Sequence, residues 1–473
     1  MKRVPPGYLT LFSMCFAVFL IGVEFTATNI ALVTMQREFD CGLSTLQWIV
    51  NAYLLTFCAF MVPGGRLGDL YGHRKMVILG AVIFGLSSAV GGAAPGSTFV
   101  VISRLFQGVG AALLWPSVMT VIFKALPAEK KGFAIGSVMG TAGFAMAIGP
   151  VLGAFFAEEL SWRWIFFCNV PLVGVIVLLA RRFVPVEEAT SKESIDYVGG
   201  GILTVGLIGL VIALDQANLW GWGSLKTLLV LSIACVLYVV FLFVERKVKD
   251  PILGPDMLRD RVFVLTLIAR GCNFFGWFAL LFILGLYFQH ARGLSAMETG
   301  LFFVPLTLSF GLVSPFGGRI IDKVGAKIPT LVGLTLLALG FFWLSFFTVQ
   351  SSNLFFVTPL LMIGTGQGFV SSGLAVLAIG TMVEEKSGLA SAVYFMVTLV
   401  GGIVGVAICG YFLGELASLT TLNAAQQETF LQSFILSMYL CAVLNVAGFF
   451  AAWRAYGVWE RFKAEGASGG GRT

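Results

Sequence analysis

Fourteen times along this chain a mostly apolar stretch is closed off by a polar break, and that recurrence limits the fold more than any motif does. A helix of about 20 such residues spans the ~30 Å hydrocarbon core of a bilayer. No water is present there to bond exposed backbone groups, so a spanning segment must satisfy them itself, as a helix does. The ten-residue segments of alternating polarity that mark a transmembrane barrel are not found. Only 11% of the residues are charged, against roughly 25% in a soluble domain. The expected fold class is therefore an all-α membrane protein. Its spans fall near 8–33, 46–68, 76–93, 98–121, 134–157, 164–180, 197–217, 226–244, 262–289, 298–317, 328–348, 354–381, 389–414 and 432–455.

Charge then orients the chain. With the N-terminus inside, 24 of the 30 Lys and Arg fall on inner loops and tails. The outer loops keep only Arg37, Arg163, Lys226 and Arg292, and Arg104 and Arg270 lie within spans. The positive-inside rule thus places both termini in the cytoplasm. The net charge of +6 sits where lipid headgroups are and calls for no nucleic-acid partner. The first span is too long for a signal peptide and lacks a small-residue cleavage site. Most of the eight cysteines fall in spans, as core packing rather than a disulfide framework, and the two histidines offer no metal-ligand spacing. No nucleotide loop or nucleophile constellation suggests an enzyme.

One turn occurs twice. GRLGDLYGHRK, from Gly65 to Lys75, follows span two, and GRIIDKVGAK, from Gly318 to Lys327, follows span ten. Gly65 aligns with Gly318, Asp69 with Asp322, Gly72 with Gly325, and Arg74 with Lys327. Both turns are expected in inner loops. A parallel duplication of a six-helix half is the simplest cause. Spans seven and eight are left over between the halves and read as an insert. The expected division is 1–190 for the first half, 191–250 for the insert, 251–457 for the second half, and 458–473 for a disordered cytoplasmic tail.

With these residues in view, the chain resembles the major facilitator superfamily, and within it the fourteen-helix drug:proton antiporters. The turn at Gly65–Lys75 is similar to that family's inner-loop signature, which implies a part in conformational switching for Gly65, Asp69, Gly72, Arg74 and Lys75, and for Gly318, Asp322 and Gly325 in the second copy. Span four carries Arg104, Gln107, Gly108 and Gly110 in the family's pattern, and span five carries Gly149, Pro150 and Gly153, the antiporter kink. WRWIFFCNVP (Trp162 to Pro171), IDYVG (Ile195 to Gly199), ERKVKDP (Glu245 to Pro251) and the stretch Leu286 to Pro305 resemble this subgroup in particular. Departures are also present: Glu24 stands where Asp is usual, Ala145 and Ala154 where Gly is usual, and Leu360 where the second half would repeat Arg104.

An ionisable side chain deep in a bilayer argues for function. Glu24 is the acid placed well inside a span, ~13 Å from its outer end, and Arg104 lies ~9 Å in from the same side. The two share a layer, so a pair that parts when Glu24 is protonated is expected to couple protons to movement. The alternatives are a permanent ion pair, or Arg104 bonded to backbone carbonyls. Arg270 is expected to snorkel to the inner face. Cavity walls are expected from Asn29, Tyr53, Gln107, Trp115, Asn273, Trp277, Gln367 and Tyr394. The expected function is proton-coupled export of amphipathic small molecules by alternating access. Two alternatives are a dedicated exporter of one metabolite, such as a siderophore, fatty acid or peptide, and a non-transporting scaffold that docks a partner through the insert. The expected partners are a small-molecule substrate, protons and the lipid bilayer of a bacterial plasma or inner membrane, with the protein a monomer, no cofactor beyond the proton gradient, and no metal. In this reading Asp322 matters less than Asp69, because its copy of the turn is the degenerate one.

Overall fold

A computed structural model describes residues 5–186, 196–248, 255–348, 351–382, 386–414, 416 and 424–468, and within them all regular structure is helical. Numbered by span, the first half comprises α1 (Pro6–Phe39), α2 (Leu43–Ala59, continued as Met61–Tyr71), α3 (His73–Gly92), α4 (Ser97–Ala125), α5 (Lys131–Phe155) and α6 (Asn169–Phe183). The insert is α7 (Tyr197–Trp220) and α8 (Leu225–Glu245). The second half comprises α9 (Arg261–Leu286), α10 (Val304–Val324), α11 (Lys327–Leu344), α12 (Asn353–Gly380), α13 (Ser387–Leu413) and α14 (Ala424–Ser468). Among the described residues thirteen helices are long and apolar enough to cross a membrane, or fourteen when α2 and its continuation count as one span bent by 46°.

The charged turn expected as an inner loop is mostly helix. Residues Met61–Tyr71 carry α2 through its first part, Gly72 alone makes the reversal, and His73 already opens α3. Gly72 has φ 95° and its repeat Gly325 has φ 85°. A side chain is strained in that region, which is why glycine recurs at this offset in both copies. Span ten is broken close to its expected start at 298. A short helix, Ala296–Phe302, opens it with a capping box in which Ser295 and Glu298 satisfy each other's backbone N–H groups, and α10 follows. The last helix runs to Ser468, so most of the segment expected to be a disordered tail is helical. Lys327 Nζ and Glu460 Oε2, 2.6 Å apart, tie that extension to α11. Residues 469–473 and the last part of the Glu245–Pro251 motif lie outside the described residues.

The halves meet along two equivalent seams, α5 against α10 and α2 against α13. On α5, glycines 132, 136 and 140 recur every four residues and so share one face. A Cβ on Gly132 would stand 2.5 Å from the Gly318 carbonyl oxygen, and one on Gly140 would stand 2.6 Å from that of Gly311. Backbone lies directly on backbone here, in the manner of small-residue helix interfaces in membranes. The kink residues serve a different contact. Gly149 and Gly153 lie against Thr26 and Ala27 of α1, and Pro150 sits inside α5. Ala145 fits where glycine is usual because the opposing residue on α1 is Gly22.

The insert is not uniformly peripheral. α8 is covered mainly by α7, but α7 packs on both α2 and α13. Asn218 Nδ2 donates to the Ala407 carbonyl at 3.2 Å and Asn51 Nδ2 donates to Asp215 Oδ1 at 2.8 Å.

The α5–α10 seam gives a direct test. Gly136→Val, whose side chain would meet the Ser314 carbonyl, should cost about 1–3 kcal/mol through overpacking. Gly174→Val, on a face with nothing within 4 Å, should leave the thermal unfolding midpoint of purified protein unchanged. Equal midpoints for the two variants would mean that the seam is not held this closely.

Candidate functional site

Glu24 of α1 is 1% exposed and Arg104 of α4 is 2% exposed. A charge placed there without a partner would be costly, and none is left so. Arg104 Nη1 donates to Glu24 Oε1 at 2.5 Å and to Gln107 Oε1 at 2.8 Å, and Nε donates to the Ile49 carbonyl at 2.9 Å. The guanidinium also lies 4.4 Å from the centre of the Tyr53 ring. Glu24 accepts two further bonds, from Thr28 Oγ1 at 2.9 Å and from Asn169 Nδ2 at 2.7 Å. Gln107 Nε2 and Asn169 Nδ2 both donate to Ser88 Oγ, at 2.8 and 3.3 Å.

Five helices of the first half, α1, α2, α3, α4 and α6, therefore converge on one carboxylate–guanidinium pair. The ion pair and the backbone bond, weighed as alternatives from sequence, occur together. Asn169, Thr28 and Ser88 are the members that sequence reasoning did not single out. Asn169 stood inside the quoted WRWIFFCNVP stretch, and the helix that begins with it carries its amide to Glu24. Trp162 and Arg163 of that stretch anchor the corner before α6. Trp162 Nε1 donates to Glu38 Oε2 at 2.6 Å, and Arg163 donates to the carbonyls of Gly92 and Ala94 at 2.9 and 2.8 Å.

The second half has its own buried cation, and there the sequence expectation fails. Arg270 does not snorkel: it is 1% exposed, because α12 and α13 enclose it with polar groups and rings. Its Nε donates to Thr398 Oγ1 at 2.8 Å and Nη1 to Ser371 Oγ at 3.2 Å. Asn273 Nδ2 donates to Gln367 Oε1 at 2.9 Å, and Gln367 Nε2 to Ser371 Oγ at 3.2 Å. Two rings, Phe274 at 3.9 Å and Tyr394 at 4.7 Å, lie under the guanidinium.

A cavity of about 100 Å³ lies between the halves, bounded by α1, α2, α4 and α5 of the first and α9, α10 and α13 of the second. Its walls are apolar and aromatic, with Phe25, Phe57, Met139, Met146 and Phe310 among them, together with Arg270 and Thr398. Of the eight residues expected to line a cavity, Trp115 and Trp277 do so. Tyr53 and Gln107 belong instead to the Glu24–Arg104 cluster, and Asn273, Gln367 and Tyr394 to the Arg270 cluster, because polar groups there are drawn to a charge rather than left facing apolar walls. The side chain of Asn29 lies outside the described residues. A second cavity of about 120 Å³, bounded by Asn51, Asp215, Asn218 and α13, shares Phe278 and Leu399 with the first.

At the end of the bundle that carries the duplicated turn, the two aspartates make matched contacts. Asp69 accepts from the backbone N–H groups of Gly388 and Leu389 at 3.0 and 2.9 Å, at the start of α13. Asp322 accepts from those of Gly132 and Phe133 at 2.7 and 2.8 Å, at the start of α5. Each half thus caps a helix of the other with a carboxylate, on unsatisfied donors and the positive end of the helix dipole. His73 Nε2 adds a contact to Asp69 Oδ1 at 3.1 Å. Arg74 Nη2 donates to the Arg181 carbonyl at 2.6 Å, whereas Lys75 is exposed.

Two helical halves locked by reciprocal caps, enclosing a cavity between buried polar clusters, define a multi-pass membrane carrier. Residues 14–406 match the model of the Major Facilitator Superfamily, and the chain belongs to that family. It is 30% identical over 415 residues to the multidrug resistance protein Stp of Mycobacterium tuberculosis, covering 87% of this chain and 77% of Stp. It is 28% identical over 410 residues to the tetracenomycin C resistance and export protein of Streptomyces glaucescens, covering 86% and 76%. The solved proton:xylose symporter XylE, bound to 6-bromo-6-deoxy-D-glucose, shares the fold with a TM-score of 0.68 at 15% identity, covering 95% of each chain.

The ion pair can be weighed by a mutant cycle. Arg104→Leu strands a buried carboxylate and should cost about 3–5 kcal/mol. Adding Glu24→Gln removes that charge and should recover most of the loss. Thermal midpoints of the two single variants and the double variant check this, and additive losses would mean that the pair is not coupled.

Proposed function

We propose that this chain is a proton-driven exporter of amphipathic small molecules, working by alternating access of its two halves. The observation that carries this reading is the pairing of a single Glu24–Arg104 cluster, beside the central cavity, with reciprocal Asp69 and Asp322 caps that hold one end of the bundle closed. Relatives named for drug resistance and export support the direction and substrate class. Protonating Glu24 would remove its charge and release Arg104, Asn169 and Thr28 to other partners, a change in contacts that can bias two arrangements of the halves. Breaking the caps exposes the starts of α5 and α13, so opening that end must be offset by new contacts elsewhere. Both termini are assigned to the cytoplasm by the distribution of Lys and Arg, which makes the capped end the cytoplasmic one. The working unit is a monomer of two halves, 1–190 and 251–457, with the insert 191–250 alongside, and it needs no cofactor beyond the proton gradient.

Two outcomes in proteoliposomes test the mechanism. Glu24→Gln should still exchange substrate across the membrane but lose accumulation driven by an imposed proton gradient. Accumulation equal to that of the unmodified protein would remove Glu24 as the coupling site. Asp69→Asn and Asp322→Asn should each cut the transport rate severalfold or more with substrate affinity nearly intact. The loss at Asp322 should match that at Asp69, contrary to the expectation from its degenerate turn, because both carboxylates accept two backbone N–H groups. Unchanged transport in either variant would reduce its turn to topogenic charge.

A further inference from the structure

The geometry points to Arg270 as the anion-recognising group of the central cavity, so that the preferred substrate is an amphipathic molecule with an apolar body and an acidic group, such as a carboxylate or sulfonate. This rests on the central cavity being the substrate site.

The contrast between Arg104 and Arg270, the buried cations of the two polar networks, carries the inference. Arg104 has Glu24 at 2.5 Å and does not line the cavity. Arg270 lines it, is 1% exposed, and has no carboxylate within ion-pair distance among the described residues. A guanidinium carries five N–H donors. Arg270 spends Nε and Nη1 on the neutral hydroxyls of Thr398 and Ser371, and Nη2 donates to no described residue. Phe274 and Tyr394 stabilise its charge through their rings but neutralise none of it.

Among the side chains that line this cavity the unspent polar groups are donors, and the unsatisfied Asn273 Oδ1 of the Arg270 cluster does not line it. Trp115 also lines it, and its indole N–H is buried without a partner among the described residues. Thr398 Oγ1, the hydroxyl on the wall, already donates to the Tyr394 carbonyl and accepts from Arg270. Donors without acceptors, in apolar walls, fit a ligand that brings the acceptor and the negative charge. Arg presents such donors as a planar fork that matches a carboxylate or sulfonate. The remaining wall of Phe, Met and Trp rings suits an aromatic or aliphatic body. At about 100 Å³ the cavity is below the usual 300–1,000 Å³ of small-molecule sites, so the full site requires the halves to part. Asp215 is the competing charge nearby, but it borders the neighbouring cavity and accepts from Asn51 at 2.8 Å and Gln216 at 2.6 Å.

The test uses full-length protein in lipid nanodiscs and three probes that share one alkylnaphthalene body and differ in head group: carboxylate, carboxamide and trimethylammonium. Titration calorimetry should show the carboxylate binding about tenfold or more tighter than the carboxamide, with the ammonium weakest. Arg270→Gln should abolish the carboxylate preference, whereas Arg270→Lys should retain part of it. Equal binding of carboxylate and carboxamide by the unmodified protein would overturn the assignment, and that comparison needs no variant to fold. A preference for the ammonium probe would also overturn it and would place recognition at Asp215. A carboxylate preference that persists in Arg270→Gln would overturn it as well. If the binding order holds but no probe accumulates under a proton gradient in proteoliposomes, the export reading fails and the Arg270 assignment stands.

Discussion

A helix that starts at the edge of a bilayer presents N–H groups with no partner in its own backbone, and in this protein two such starts are satisfied from across the molecule. Asp69 closes the start of α13 and Asp322 the start of α5, so the carboxylates that stabilise one half belong to the other. Everything between the seams depends on this arrangement. The glycine face of α5 can lie on α10 because the caps fix the height of one helix against the other, and the cavity is enclosed because the seams on either side are shut. Surface ion pairs could not do this work as well, since exposed charges are screened and net little. A charge-assisted bond to a backbone donor in a buried seam is stronger and more sensitive to geometry.

The two halves use buried charge differently. In the first half, a cation and an anion neutralise each other inside a net of amides and hydroxyls drawn from five helices. In the second half, a cation rests on aromatic rings and hydroxyls with no acid beside it among the described residues. A shared ancestry of the halves accounts for the matched caps. Under the proposed function the unmatched charges would divide the work, with the first half holding a proton-sensitive pair and the second facing the substrate. The insert joins this asymmetry. α7 brings Asp215 and Asn218 against both halves, while α8 stays on the outside.

Much of this was legible before any coordinates. Long apolar runs without ten-residue alternation determined that the chain is helical and spans a membrane, since only helices and closed barrels satisfy their backbone in lipid. The repeated spacing of Gly65, Asp69 and Gly72 with Gly318, Asp322 and Gly325 pointed to the duplicated halves, and the positive φ at Gly72 and Gly325 explains why glycine stands at that offset in both copies. Depth along α1 and α4 placed Glu24 and Arg104 in one layer, and a layer is all that sequence distance along single helices can supply.

What only the tertiary structure decided is which side of each helix faces which neighbour. Membrane helices are apolar around most of their circumference, so periodicity does not separate a lipid-facing side from a buried one. For that reason Arg270 read as a residue able to reach the headgroups, when rotation of α9 turns it toward α12, α13 and the cavity. Tyr53, Gln107, Asn273, Gln367 and Tyr394 were recognisable as polar residues of the right spans, but a few tens of degrees of rotation decide between a cavity wall and a buried charge cluster. The partners of Asp69 and Asp322 lie about 320 and 190 residues away in the chain, and no local rule links them. Sequence determined the elements and their number. Folding decided the faces, because lipid, unlike water, does not sort them in advance.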